Sequence, residues 1–355
     1  MKVIIVVLSL VLSLVALPLA ASAQSAMPWE EWPIKTIPDE WGWPDHLVLG
    51  GRGGRMTMAA GMGEMFKRYA GIKTQVPGIG SGIEALKIVL NGTVHFCEVE
   101  AGLVHAGWSG TRQFKEGKPG GILALATDIA GKHTPYTLVA RTGSGIKTYA
   151  DLKGKRIGAF RPGVPVYTAL FLAGLKAYGM TKKDIIPVVY SSFKELVPMI
   201  RENRADAVMM PVPIGGATFA QLAQTGAGYL IGLEPDKVGA ALKEVLAYYR
   251  TVTIPAGSFK GQDKDVISLA GPGIMFVKAD FPETLAYTMV KLMFDNIKEF
   301  QTYGAFPKKY SLPGSVDADV IIIPYHPGAI RYYKEMGIWG PEQEMINKAL
   351  LQSIK

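Results

Sequence analysis

The stretch LVLGGRGGRMTMAAGMGEMFKRY, residues 47–69, contains the pattern that sets the fold. Its first three residues are aliphatic, as in a buried strand. The glycine-rich run 50–55 interrupts that strand, because glycine favours turns over extended chain. Apolar residues then recur at the spacing of one helix face: Met58, Met62, Met65, Phe66 and Tyr69. The stretch therefore predicts a strand, a loop and a helix, in that order.

The same alternation of strand and helix continues along the chain. Strand-like apolar runs occur at 94–99, 122–126, 136–141, 156–160, 188–190, 205–210 and 274–277. Helical patterns occur at 83–90, 166–178, 192–203, 217–224, 236–249 and 282–300. Such alternation predicts an α/β fold in which mainly parallel sheets are flanked by helices. The length of 355 residues suggests two domains.

The composition excludes several classes of protein. Hydrophobic residues make up 48% of the chain and charged residues 19%, the opposite of a disordered composition. A single cysteine excludes a disulfide scaffold. The formal charge of +8 is spread along the chain without a basic block, so nucleic acid is not an expected partner. The five histidines lack metal-ligand spacing, and no phosphate-loop, dinucleotide or nucleophile-elbow motif occurs. We therefore expect no enzyme, no metal and no cofactor.

The N-terminus has the three parts of an export signal. Lys2 is followed by an apolar run at 3–19 and by small residues at Ala21 and Ala23. This predicts a signal peptide at 1–23, cleavage after Ala23 and a periplasmic location; an uncleaved membrane anchor is the alternative. No later stretch is long and apolar enough for stable membrane insertion. Residues 24–46 form an arm with four of the six tryptophans, for which we favour packing over contact with a partner.

Three glycine-containing loops lie between a predicted strand and a predicted helix: 50–55, 76–82 and 161–165. In open α/β sheets ligands bind at the carboxyl ends of strands, and a helix N-terminus there attracts anions. Two of the loops carry arginine. Pro213 also follows a strand end, but its loop, 211–213, lacks glycine and arginine. The pattern favours an anion site; alternatively, glycine and proline merely end the regular elements.

Six segments are similar to a known family. They are GGRGGR at 50–55, VPGIGSGIEAL at 76–86, SGIKTYADLKGKRIG at 144–158, RPG at 161–163, TIPAGSFKGQD at 253–263 and PYHPGAIRYY at 324–333. The last two are the most specific. Together, and in this order, they resemble the TAXI family, the solute-binding proteins of TRAP transporters.

The resemblance implies a two-lobed periplasmic binding protein of type II, in which each lobe is a mainly parallel sheet flanked by helices. Lobe one would comprise 47–138 plus 270–335 and lobe two 139–269, followed by a C-terminal tail at 336–355. Hinge strands near 136–141 and 267–277 would connect the lobes. Such lobes close on a small anionic organic solute, which the membrane subunits of a TRAP transporter then import.

Departures from the family concern the ligand-binding loops. Arg52, Arg55 and Met56 stand where the family usually has hydroxyls and an aromatic residue, and the loop at 161–165 lacks the usual serine and threonine. Glu98 and Glu100 stand where the family has glutamine and aspartate. The candidate ligand-binding residues are Arg52, Gly53, Gly54, Arg55, Met56, Gly80, Ser81, Gly82, Glu98, Glu100, Arg161, Pro162, Gly163, Val164 and Pro213.

We expect at least one of Arg52, Arg55 and Arg161 to bind a ligand carboxylate, because a guanidinium can donate two parallel hydrogen bonds to it. Arg161 ranks first, because it opens a lobe-two helix that faces the cleft. The alternative for each arginine is solvent exposure or an ion pair with Glu98 or Glu100. The expected function is capture of a carboxylate-bearing solute by closure of the lobes. A secreted adaptor for a sensor receptor and an enzyme on the same fold stay open as alternatives.

Overall fold

The computed structural model describes residues 41–111, 114–115, 119–128, 134–161, 165–243, 245 and 249–354. The predicted signal peptide and most of the predicted arm lie outside these ranges. The strands are β1 His46–Val48, β2 Lys73–Gln75, β3 Phe96–Glu100, β4 Ile122–Thr127, β5 Tyr136–Arg141, β6 Arg156–Phe160, β7 Ile186–Val189, β8 Ala207–Pro211, β9 Gly228–Ile231, β10 Arg250–Ile254, β11 Val266–Ala270 and β12 Gly273–Lys278. The α-helices are α1 Gly54–Ala70, α2 Gly82–Leu90, α3 Ala101–Ser109, α4 Pro165–Ala177, α5 Leu196–Arg201, α6 Ala217–Gln224, α7 Pro235–Lys243, α8 Glu283–Asp295, α9 Ile297–Phe300, α10 Pro327–Glu335 and α11 Pro341–Gln352. Within the described ranges, no helix has the length and apolar character to cross a membrane.

One sheet is built from the two ends of the described chain. β1 pairs with β2 in parallel, and a bridge between Leu49 and Phe96 joins β1 to β3, also in parallel. β12 lies between β3 and β4 and is antiparallel to both. The strand order is therefore β2-β1-β3-β12-β4, and only β12 runs against the others. We call this sheet and its helices lobe one.

The second sheet uses the middle of the chain. Its order is β7-β6-β8-β5, and β9 pairs with the other edge of β5. β6, β7 and β8 are parallel, whereas β5 is antiparallel to both of its neighbours. β11 contacts the first residue of β5 and pairs along its length with β10. We call this sheet and its helices lobe two.

The chain passes between the lobes twice. It leaves lobe one at Thr127, where β4 ends, and enters lobe two at Tyr136. It returns between Ala270 and Gly273. The sequence predicts a hinge strand near 136–141; in the structure this segment is β5, which pairs with β8 from its first residue, Tyr136. β5 and β12 run against their neighbours because each enters its sheet from the other lobe and not through a crossover helix.

The opening strand–loop–helix unit forms as predicted. The buried face of α1 contains Met58, Met62, Met65 and Phe66. Gly54 and Arg55 belong to the first turn of α1, although the sequence predicts them in the loop. Gly53 before them has φ 55°, a left-handed conformation that glycine adopts without steric cost. The loop therefore ends in a tight turn that starts the helix.

Both ends of the described chain pack on lobe one. The indole Nε1 of Trp43, in the predicted arm, donates to Thr284 Oγ1 at 2.8 Å. In the predicted tail, Asn347 on α11 is buried, and its side-chain oxygen accepts the N–H of Tyr325 at 2.8 Å. These contacts attach both ends of the described chain to lobe one.

His326 is a buried residue that begins α10 in one of the most family-specific segments. Its Nδ1 accepts the N–H of Gly328 at 3.2 Å, and its Nε2 donates to the carbonyl of Phe281 at 2.9 Å. A neutral imidazole makes both bonds, since it has one N–H and one acceptor nitrogen. Burial lowers the pKa of His326 to about 4.

We expect acid to destabilise the protein through His326. The unfolded state takes up this proton near pH 6.5 and the folded state only near pH 4, so the stabilisation is complete above pH 6.5 and is lost as the pH falls through 4. Its size is about 3 kcal/mol. His326→Asn keeps an oxygen that can cap α10 and removes the titration. Its unfolding free energy should therefore depend less on pH between 4 and 6.5. Equal pH slopes for the two proteins in denaturant titrations would contradict this role.

Candidate ligand-binding cleft

A cavity of about 250 Å³ lies between the lobes. Lobe one contributes the end of the glycine-rich loop, the first turn of α1 and Phe306, and lobe two contributes the remaining walls. The lining residues are Arg52, Gly53, Gly54, Arg55, Thr134, Tyr136, Tyr167, Phe193, Leu196, Met210, Pro211, Pro213, Thr218 and Phe306. Five of them were candidates from the sequence: Arg52, Gly53, Gly54, Arg55 and Pro213.

Arg55 is already neutralised within lobe one. Its Nε donates to Glu98 Oε2, and its Nη2 donates to Glu98 Oε1 at 3.1 Å. The Arg55 side chain is 15% exposed and that of Glu98 only 1%. Burial alone would lower the pKa of Arg55, but the charge of Glu98 outweighs it and holds that pKa above its ordinary value. Arg55 is therefore a structural cation, as the alternative reading of the sequence allowed.

Arg52 is the cation of the cleft that has no acceptor. Its half-buried side chain lines the cavity, and no hydrogen bond or ion pair joins its guanidinium to another described residue. Burial lowers the pKa of Arg52, and the charges of Arg55 and Arg161 lower it further. Nearby positive charge and partial burial both favour an anion at this point.

Arg161, ranked first by the sequence, is partly committed. Its Nε donates to the carbonyl of Ser191 at 3.0 Å, and its guanidinium lies over the ring of Phe193, 4.4 Å from the ring centroid. Its Nη1 is buried and has no acceptor among the described residues. Lobe two therefore holds Arg161 in position, and Arg161 is not among the residues that line the cavity. Three further candidates, Pro162, Gly163 and Val164, lie outside the described residues.

The remaining sequence candidates do not line the cavity. Ser81 Oγ accepts the N–H of Glu84 at 3.1 Å, and the Glu84 side chain accepts the N–H of Gly80 at 2.9 Å. These bonds cap α2, which begins at Gly82. Met56 lies in the first turn of α1, outside the cavity walls. The glycine-containing loop at 76–82 thus starts α2 beside the loop at 50–55 and does not reach the cavity.

Glu100 links the lobes near the return crossing. One of its oxygens accepts the N–H of Gly102 at 2.8 Å and the hydroxyl of Tyr249. Tyr249 directly precedes β10, so this contact joins the end of β3 in lobe one to lobe two. Burial raises the pKa of Glu100. Its position suggests a role in holding the two lobes together and not in direct contact with a ligand.

Sequence reasoning missed the aromatic wall of the cleft. The rings of Tyr136 and Tyr167 pack edge to face, with their centroids 5.0 Å apart. The rings of Tyr167 and Phe193 pack in the same way, with their centroids 5.2 Å apart. Burial raises the pKa of Tyr136 and of Tyr167, so both phenols stay neutral and can donate hydrogen bonds. Phe306 closes the opposite side from lobe one. The sequence predicts Tyr136 in a strand at 136–141 and Tyr167 in a helix at 166–178, but neither pattern indicates the wall of a cleft.

Two other cavities border the described surface. One of about 190 Å³ adjoins the cleft and shares Thr134, Pro213 and Phe306 with it. The other, of about 710 Å³, is an open groove on lobe two beside α6, β9 and Gln262. Gln262 Nε2 donates to the carbonyls of Ile254, Pro255 and Lys264. These hydrogen bonds stabilise the loop that contains the TIPAGSFKGQD segment. No group of three or more His, Cys, Asp or Glu suited to a metal occurs in the described ranges.

Two buried ion pairs lie next to the cleft in lobe one. Besides the pair of Arg55 and Glu98, the carboxylate of Asp128 accepts from Lys309 Nζ at 3.0 Å and from the N–H of Gly273 at 2.8 Å. Two cations and two carboxylates neutralise each other, as buried charges require. This group therefore holds the cleft in place without offering charge to a ligand.

Gly273→Ala should disturb this group. An added Cβ would overlap Glu98 Oε1 and approach Asp128. We expect overpacking alone to lower the free energy of unfolding by about 1–3 kcal/mol. The decrease should be larger if the ion pair of Arg55 and Glu98 is also broken. Gly239→Ala is the matched control, because its Cβ meets open space and alanine favours its helix by up to about 1 kcal/mol. Denaturant unfolding of both variants measures the difference; a Gly273→Ala protein as stable as the parent would contradict the account.

The chain matches the NMT1-like family over residues 52–337 and belongs to that family. The structure of PhnD1 from Prochlorococcus marinus in complex with methylphosphonate is similar, with a TM-score of 0.52 at 9% identity over 74% of this chain and 89% of PhnD1. The periplasmic aliphatic sulphonate binding protein SsuA from Escherichia coli matches with a TM-score of 0.47 at 14% identity, over 86% of this chain and 94% of its own. The alkanesulfonate-binding SsuA from Xanthomonas axonopodis pv. citri, bound to MOPS, gives 0.46 at 16% identity, over 86% and 84%.

The likeness to PhnD1 confirms the predicted fold of a two-lobed periplasmic binding protein of type II. At this identity it shows the fold alone. The TAXI resemblance is finer than the family that the chain matches, and it stays a prediction.

Proposed function

We propose that this chain is an extracytoplasmic solute-binding protein that captures a small anionic solute, with a carboxylate as its charged group, in the cleft between its lobes. One observation carries the proposal: Arg52 is a half-buried cation in a walled cavity, without an anionic partner among the described residues. A bound anion supplies that partner. The volume of about 250 Å³ lies just below the range usual for drug-sized ligands, which suits a small solute.

The donors around the cavity favour a planar oxyanion. A guanidinium can form two parallel hydrogen bonds with a carboxylate, and each charge-assisted bond contributes about 1.5–3 kcal/mol. Arg52 has its whole fork available, whereas Arg161 does not line the cavity. Because Arg55 is held by Glu98, the charge offered to the ligand comes from Arg52. This differs from the order that the sequence suggests.

The position of the cavity suggests how binding is coupled to shape. Arg52 lines the cavity from lobe one, and the aromatic wall of Tyr136, Tyr167 and Phe193 lines it from lobe two. A ligand that contacts both lobes binds the closed form better and shifts the population towards it. The crossings before Tyr136 and after Ala270 are the segments about which the lobes would turn.

The sequence features at the N-terminus and in the TAXI-like segments are the evidence for the membrane partner. The signal peptide predicted at 1–23 supports a periplasmic location, and the TAXI-like segments favour the membrane subunits of a TRAP transporter as the acceptor of the solute. An ABC transporter is the alternative class of membrane partner. Solute uptake by vesicles that contain one or the other set of membrane subunits separates the two.

Arg52→Ala should weaken binding of the solute. The acid that most raises the melting temperature, chosen from a panel of carboxylates, sulfonates and phosphonates, is titrated by calorimetry. Loss of one charge-assisted contact predicts an affinity about 10- to 150-fold lower. Arg204→Ala is the control, since Arg204 forms an exposed pair with Glu202 away from the cleft and its loss should leave the affinity unchanged. Equal affinity in Arg52→Ala, or no acid that stabilises the parent protein, would contradict the proposal.

A further inference from the structure

Phe306 is a partition within the cleft. It lies between the short turns Gln301–Tyr303 and Pro307–Lys309, and it lines both the cavity of about 250 Å³ and the adjoining one of about 190 Å³. We call these the near chamber, which contains Arg52, and the far chamber. The far chamber has small or apolar walls, among them Pro135, Ile214 and Val252, and it is also lined by Lys308 and Lys309.

The ring of Phe306 is held from several sides. The guanidinium carbon of Arg55 lies 4.4 Å from its centroid, and Lys309 Nζ lies 4.7 Å from it. Both cations are themselves fixed, Arg55 by Glu98 and Lys309 by Asp128. Gly54 in the first turn of α1 leaves room for the ring, because a Cβ there would approach Phe306 Cε2 to 2.7 Å. A ring clamped by two paired cations is a firm wall, unlike a side chain that moves freely.

A polar group without a partner marks the boundary between the chambers. Thr134 is 5% exposed, lines both chambers, and its hydroxyl has no partner among the described residues. A buried hydroxyl usually has a hydrogen-bond partner. A ligand in the near chamber that reaches towards Phe306 would come close to it.

We propose that Phe306 is the residue that sets the length of the solute, and that the solute is an acid with a compact apolar or aromatic body. This inference rests on the proposed function. The carboxylate binds at Arg52, and the body lies among Tyr136, Tyr167, Phe193 and Phe306. A cavity of about 150 Å³ accommodates a benzene ring, so the near chamber holds one ring with its acid. The far chamber could hold a second group of that size, but Phe306 keeps it out.

The test compares acids of graded length. Benzoate, phenylacetate, 3-phenylpropanoate and 5-phenylpentanoate are titrated by calorimetry into the parent protein, Phe306→Ala and Phe193→Ala. The parent should bind a short member best and 5-phenylpentanoate at least tenfold more weakly. Phe306→Ala joins the chambers and should move the optimum to a longer acid. Phe193→Ala alters only the near chamber, so it should weaken the series without changing its order.

Several outcomes show whether Phe306 selects the length of the solute or only stabilises the fold. An unchanged order of affinities in Phe306→Ala, or the same shift in Phe193→Ala, would overturn the inference. Should Phe306→Ala not fold, Phe306→Leu keeps an apolar side chain and should give a smaller shift in the same direction; an unchanged order there would also overturn it. If the parent binds none of the four acids but does bind another acid through Arg52, this inference fails while the proposed function stands. If no acid binds at all, the proposed function fails as well.

Discussion

The ion pair between Arg55 and Glu98 is the contact on which the rest of the cleft depends. It joins the first turn of α1 to the interior of β3, and both charges are withdrawn from water, so each requires the other. Phe306 lies against the paired guanidinium, and Lys309, which is paired with Asp128, also contacts the ring. Because these charges are balanced, the positive charge that remains at the end of the glycine-rich loop is that of Arg52.

The two lobes divide the work of the cleft. Among the described residues that line the cavity, lobe one supplies the paired Arg55 and also Arg52, whose guanidinium has no acceptor, and lobe two supplies the aromatic rings. Neither lobe alone encloses the cavity. A binding site assembled from two bodies gains its full contacts only when they approach each other, which is the physical reason why closure and binding are coupled in this proposal. The hydrogen bond from Tyr249 to Glu100 joins the two lobes beside the return crossing.

Much of the fold could be predicted because its signals are local. The apolar spacing of α1 and the helical pattern at 83–90, which forms α2, depend on neighbours a few positions away, and both helices form as expected. The crossing near 136–141 could be predicted only as a region, because the pairing of β5 with β8 is a long-range contact that periodicity does not contain. The site was likewise predictable only where its signals are local. Arg52, Arg55 and Arg161 were predicted as a set, but which one is available depends on Glu98, 43 positions from Arg55, and the wall residue Phe306 carries no local motif.

The most direct measurement is a crystal structure of the protein with the tightest-binding acid from the affinity screen. The account predicts carboxylate oxygens within hydrogen-bond distance of the Arg52 guanidinium, an apolar body against the aromatic wall, and Arg55 still paired with Glu98. The acid bound in the open groove of lobe two, or Arg55 released from Glu98 to bind it, would contradict the account.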